Sequence, residues 1–493
     1  QQELTSIMGK LVKNYIYNVL YQILVFVAPL VMAPYLTRVL GAERLGISNY
    51  VLTIATAFGT VGLLGTQNYA IREIAYVKDS PVKLEKTFYE ILELRLILGL
   101  LTLIIYTFYI RLASYPYLML IMTVYIAAWF IDPCWFFIGM EDMGKAVARN
   151  FFAKAANVIG IFVIVKSQED YVKYIWLLSS MTFIASLLAI PQLWKYFNIH
   201  FVKVSFSRII FHAKRSLELF WPQMAILVSL SADKILLEYF ISPASVAYYD
   251  QAEKIIKIPL SFITVLSTVM MPRLANQFAS HNVDNIKEYL SKTIQFSSML
   301  AFPMMLGIMG IASNLIPWFL GIEFLPVIPV IWALAPLIIF ASMVGISGDQ
   351  YLVATGQTRV LTLSYVIAAL VNVLVNIVLI PRYAEVGAAI ATICAYGVIL
   401  IIQYKVLLQR TSLLDSILDS FKYLWKSLPM LLLVLYLAKV MPAAHTTTLV
   451  QILAGGLLYG MVLIISKDKM ALLLIESFSK MMDKLKLRGK NSR

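Results

Sequence analysis

Apolar residues in this chain fall into runs of about twenty, long enough to span roughly 30 Å of hydrocarbon as helix. Fourteen spans are predicted, near 15–39, 47–69, 91–110, 116–138, 148–166, 174–194, 217–240, 252–271, 293–312, 324–346, 360–380, 386–408, 427–441 and 449–466. Alternating ten-residue strands are absent, which argues against a β-barrel. The fold class expected is therefore an all-α polytopic membrane protein.

Residues 356–392 hold two spans separated only by Pro381-Arg382-Tyr383-Ala384-Glu385. Asn372 and Asn376 lie one turn apart on one face of the first span. An amide facing lipid tails is costly, so this face is expected to meet another helix or a wet cavity. Asn157-Val158, in AANVIGIFVIV (155–165), aligns with Asn372-Val373, in LVNVLVNIVLI (370–380), and a glycine turn precedes each, at Gly139 and Gly356. Residues 35–50 align more weakly with 235–250. The pattern predicts a parallel duplication, with lobes at 1–196 and 197–410, two further helices over 411–466 and a basic amphipathic tail at 467–493.

Composition narrows the class further. With 60% apolar and 14% charged residues, the chain is not a soluble globular protein. Its net charge of +14 does not call for nucleic acid, because the positives lie in loops beside the spans. With the N-terminus inside, inner loops and tails carry 29 Lys and Arg against 7 in the outer loops, so both termini are predicted to be cytoplasmic. Segments 200–215, 411–426 and 470–488 alternate apolar and polar groups at helical spacing, as helices lying on anionic lipid at the inner face do. Cys134 and Cys394 lie far apart within spans and suggest neither a disulfide nor a metal. No cleavable signal is evident, and Gln1–Ile7 ahead of Met8 reads as a vector-derived remnant.

Nothing in the pattern supports an enzyme. There is no phosphate-binding G-x-x-x-x-G-K-[ST] loop and no H-E-x-x-H. Gly345-Ile-Ser-Gly348 lacks the strand–turn–helix setting of a nucleophile elbow. Short outer loops also disfavour a polysaccharide polymerase, the enzyme alternative.

Four motifs resemble the Wzx-type polysaccharide repeat-unit flippases, in the polysaccharide transporter family of the multidrug/oligosaccharidyl-lipid/polysaccharide exporter superfamily. They are PYLTRVLG at 34–41 followed by Gly46, NYAIREIA at 68–75, WFFIGMEDM at 135–143, and the Asn372–Ala389 hairpin. Ile138 stands where the family's glutamine is expected. The resemblance implies two six-helix lobes around a central cavity, worked by alternating access in a bacterial or archaeal cytoplasmic membrane. The implied substrate is an oligosaccharide on a polyprenyl (commonly undecaprenyl) pyrophosphate, flipped outward for O-antigen, capsule or exopolysaccharide. Other polysaccharide-assembly membrane proteins are the expected partners, and no cofactor is implied.

A pyrophosphate entering a low-dielectric cavity needs fixed cations. The candidates are Lys254 and Lys257, which share a helix face, and Arg38, Arg72, Arg95 and Lys154. For each lone cation, interfacial snorkelling or a structural ion pair is the competing reading. Polar or ion-coupling candidates are Asn157, Asn372, Asn376, Asp233 and Asp132, the acids as sites for a Na⁺ or H⁺ gradient or the membrane potential. A multidrug exporter, or a carrier of lipid II or teichoic-acid precursors, is the alternative within the superfamily. The intramembrane lysines favour the lipid-pyrophosphate reading.

Overall fold

A computed structural model describes residues 2–197, 204–279, 283–473 and 476, with side chains for these except at 2–27, 143–149, 222, 226, 229, 230, 264–279, 283–286 and 410. Among the described residues the chain is helical, with no strand. Helix α1 (Gln2–Gly62) covers the first expected span and most of the second, and it breaks at Gly41, whose φ of 71° is readily adopted only by glycine. A turn leads to α2 (Thr66–Val77). Prolines then open α3 (Pro81–Ile110) and α4 (Pro116–Ile131), where a missing N–H is harmless. Next come α5 (Cys134–Gly139), α6 (Met143–Ile164), α7 (Tyr171–Leu187) and α8 (Phe206–Phe240). The chain continues through α9 (Pro243–Ala279), α10 (Val283–Phe319), α11 (Val327–Leu334), α12 (Leu337–Val344) and a π-helical segment, Gly345–Leu352. Helix α13 (Thr358–Arg410) reverses at Ala384, inside the turn expected between two spans. Then follow α14 (Leu414–Ser420), α15 (Lys422–Val440) and α16 (His445–Ile465).

Among the described residues, nine helical stretches are long and apolar enough to cross a membrane. Two of them, Ala28–Gly62 and Thr358–Gln409, contain the breaks at Gly41 and Ala384 and so each hold two helices. The protein is thus an all-α, multi-pass membrane protein.

By internal contacts the chain divides into two units, Gln1–Asp250 with Asn376–Glu385, and Gln251–Val375 with Val386–Arg493. The lobe boundary expected at 196/197 is a sequence relation and is separate from this division. In the first unit, two of the four motifs pack into one aromatic core. Tyr69, Ala70 and Ile74 of the second motif join Trp135, Phe136 and Phe137 of the third around Phe88. The Phe88 and Trp135 rings stack at 5.4 Å. In the second unit α16 is tied to α10, through Tyr459 donating to the Met299 carbonyl (2.8 Å) and Trp318 donating to Thr448 (2.9 Å). A buried polar chain, Ser347 to Gln403 (2.7 Å) and Gln403 to Ser364 (3.0 Å), joins the π-helical segment to α13.

Three expectations change in detail. Gly139 and Gly356 are not equivalent turns: Gly356 is left-handed at φ 70°, whereas Gly139 closes α5 against Ile71 and Ile74. The left-handed residue of the earlier turn is Glu141. Residues 206–215 are the first turns of α8 rather than a separate surface helix, and His212 and Arg208 there bind Glu90. Residues 198–203 and most of the 470–488 tail lie outside the described residues.

Candidate functional site

The first unit holds a partly open cavity of about 360 Å³, lined largely by polar residues. Thr60 and Gln67 flank the turn between α1 and α2, and Trp129 and Asp132 come from the end of α4. Thr182 and Ser186 lie on the last turns of α7, and Gln223 on α8. Three hydroxyls donate to their own helix backbones: Thr60 to Thr56 (2.8 Å), Thr182 to Leu178 (2.8 Å) and Ser186 to Thr182 (3.1 Å). Their oxygens therefore face the cavity as acceptors.

Arg95 stands behind this wall. Its residue is 1% exposed, and its guanidinium donates to Gln67 Oε1 (3.1 Å) and to the Trp129 carbonyl (2.6 Å), with the Trp135 ring 5.8 Å away. Because arginine only donates, the carbonyl end of the Gln67 amide must face Arg95. Its NH₂ is left for the cavity. Arg95, expected to meet substrate directly, is instead buried behind two residues that line the space. Neither Gln67, Gln223 nor the α7 hydroxyls carried a sequence signal, being ordinary polar residues in apolar spans.

A second polar cluster sits at the opposite ends of the same helices. Asn49 donates to Asp250 Oδ2 (3.0 Å), and Lys234 pairs with Asp250 Oδ1 at 2.6 Å. Asp233 receives Tyr249 on one oxygen and Asn376 on the other, each at 2.5 Å. Asn49, Asp233, Tyr249, Asp250 and Asn376 are all buried. Nearby, Tyr115 donates to Glu238 (2.8 Å), and a Cβ on Gly46 would fall 1.8 Å from the Pro243 carbonyl oxygen. The structure thus brings together Asp233 and Asn376 and adds Asn49, Tyr249 and Asp250. The weakly aligned segments 35–50 and 235–250 also touch, through Asn49 and Asp250.

The remaining candidates have surroundings of their own. Lys257 pairs with Glu253 at 2.6 Å, its side chain 52% exposed. Lys254 on the same helix is half-buried, as are Lys154 and Asn157 on α6. Arg38 is exposed. Arg72 lies 3.7 Å from Glu73 and over the Tyr69 ring. Asn372 is 1% exposed. Among the described residues, no group of three His, Cys, Asp or Glu is arranged to hold a metal.

A polar cavity among membrane-crossing helices is the setting in which transporters place their substrate sites. Family models match the chain twice, as polysaccharide biosynthesis protein over residues 11–278 and as lipid II flippase MurJ over residues 155–464. The chain belongs to the polysaccharide biosynthesis protein family, the Wzx-type flippases of the exporter superfamily that its motifs resemble. A Shigella dysenteriae protein, whose name ascribes O-antigen transport to it, is 23% identical over 386 residues, covering 77% of this chain and 96% of that protein. Its Escherichia coli K12 counterpart is 22% identical over 382 residues, covering 77% and 92%. A solved structure of the lipid II flippase MurJ, inward closed, superposes with a TM-score of 0.75 at 18% identity, over 92% of this chain and 99% of that one. That likeness shows a shared fold. The chain is a carrier, not an enzyme.

Proposed function

We propose that this protein flips polyprenyl-pyrophosphate-linked oligosaccharide repeat units from the inner to the outer leaflet of the cytoplasmic membrane by alternating access, for export of a surface polysaccharide. The observation that carries the reading is the polar cavity confined to one end of the first unit, with the buried cluster tying the other end. In the orientation that the charge bias predicts, with both termini cytoplasmic, the cavity lies toward the inner leaflet and the tied ends lie outside. A substrate made inside would enter there. The relatives named for O-antigen transport support the same substrate class.

The pyrophosphate calls for Lys254 and Lys257 on α9, aided by Arg38, Arg72 or Lys154. Lys257 shares its charge with Glu253. Asp233, held between Tyr249 and Asn376, is the proposed point of coupling to Na⁺ or H⁺, since the occupancy of a buried carboxylate can respond to a gradient. Anionic lipids at the inner face and neighbouring assembly proteins complete the expected partners.

One observation favours a second reading. Asp132 and Trp129 in the cavity are the acidic and aromatic pair that an exporter of cationic drugs would use. Deleting the gene separates the two. A flippase loss accumulates complete lipid-linked repeat units and removes surface polysaccharide, whereas loss of a drug exporter leaves both unchanged and raises drug sensitivity.

A further inference from the structure

The cavity wall is rich in acceptors. Thr60, Thr182 and Ser186 use their protons on their own helices, and Asp132 adds a carboxylate. Such a wall repels a pyrophosphate, whose oxygens also only accept. It suits a ligand with many O–H donors. Charge narrows the choice further. The buried Arg95 guanidinium donates to two residues of the wall, Gln67 and Trp129, so a fixed positive charge stands behind the wall that carries Asp132, and a neutral ligand is favoured over a cation. Trp129 supplies an apolar face on which a ring can rest. A volume of about 360 Å³ is at the small end of ligand pockets, room for about one or two pyranose rings and far too small for a polyprenyl tail.

We infer that this cavity is the sugar-reading subsite of the carrier, taking a neutral pyranose of the repeat unit while the pyrophosphate is held elsewhere, with Gln67 as donor and Arg95 as the positioning residue that aims it. The inference rests on the flippase reading above. Arg95 acts through Gln67: by binding Oε1, it turns the amide NH₂ toward the ring oxygens and hydroxyls. A site built on such bonds discriminates strongly against a ligand that lacks the matching groups.

The test uses the full-length protein in nanodiscs and two probes: bare polyprenyl pyrophosphate, and the lipid-linked repeat units that accumulate in cells lacking this gene. The wild type is expected to bind the sugar-bearing lipid at least about tenfold more tightly than the bare one. Gln67→Ala should remove most of that advantage and leave binding of the bare lipid unchanged. Arg95→Met should do the same, with Arg95→Lys recovering part of it. Ser186→Ala, a milder change, keeps the test open should Arg95→Met fail to fold, and it should narrow the advantage selectively. Equal weakening for both lipids, or folded variants that keep the full preference, would overturn the proposal. A wild type that binds both lipids equally well would overturn it and leave the flippase reading standing. A wild type that binds neither lipid would remove both.

Discussion

Gly46→Ala adds one methyl group where the second half of α1 meets the start of α9. An ideal Cβ there falls 1.8 Å from the Pro243 carbonyl oxygen, 2.4 Å from its carbon and 3.2 Å from the Ala244 nitrogen. All three are backbone atoms, so no side chain can swing aside. Restoring ordinary contact near 3.5 Å requires the helix ends to part by about 1.7 Å. Overpacking of this kind costs about 1–3 kcal/mol. Asn49, one turn further along α1, donates to Asp250 at 3.0 Å, and that bond does not survive such a shift. A hydrogen bond to a charged group contributes about 1.5–3 kcal/mol more. At 1.4 kcal/mol per tenfold, the closed arrangement should lose at least about one order of magnitude in population. The assay is labelling by a membrane-impermeant maleimide in intact cells. The protein carries a single cysteine at the buried Ser245, with Cys134 and Cys394 replaced. Gly46→Ala should speed labelling about tenfold or more and slow polysaccharide export. Unchanged labelling at equal expression would refute the reasoning that these ends form the outer closure.

Further outcomes are expected. Lys254→Ala with Lys257→Ala should abolish polymer export while the protein stays inserted, and arginine at both sites should retain much of it; normal export by the double alanine variant would make these lysines structural. A cysteine at Ala384 should react from outside intact cells, and reaction only after lysis would reverse the orientation. Asp468 follows α16, beyond the membrane-crossing stretches. Burial alone would raise its carboxyl pKa, but Lys426 at 2.6 Å, the Ala471 amide and Tyr423 together hold it below the ordinary carboxylate range. A lowered pKa stabilises the fold at neutral pH, and that contribution fades as pH falls from the ordinary value, about 3.9, through the lower folded one. The melting temperature of wild type in detergent should therefore exceed that of Asp468→Asn by a constant margin from pH 7 to about 5, and the margin should shrink below about pH 4. A margin that widens on acidification would contradict the assignment.

The helical framework was legible because length and hydropathy alone specify a membrane span. Each of the fourteen expected spans lies in helical stretches, and the reversal at Ala384 falls in the turn that Pro381 to Glu385 marks. Helix faces were far harder to read. Lipid and neighbouring helices are equally apolar, so periodicity does not say which side meets protein. Arg95 therefore looked like a cavity cation, although it is sealed behind Gln67 and Trp129. Lys234 adjoins Asp233 in the sequence, yet it pairs with Asp250, sixteen positions on. Asn376 was singled out, but its tie to Asp233 spans 143 positions, beyond any local pattern. Gly139 was read as a turn because glycine has two uses, and here close packing against Ile71 and Ile74 decides.

The central claim is movement of a lipid-linked oligosaccharide across the bilayer. Purified protein in proteoliposomes, loaded with fluorescently tagged polyprenyl-pyrophosphate-linked repeat units, tests it most directly. A membrane-impermeant quencher added outside reports what fraction of the tag is exposed. The account predicts protein-dependent loss of the protected inner pool, slowed by Lys254→Ala with Lys257→Ala. A protected pool that persists with the wild-type protein present, under an imposed Na⁺ or H⁺ gradient as well as without one, would contradict it.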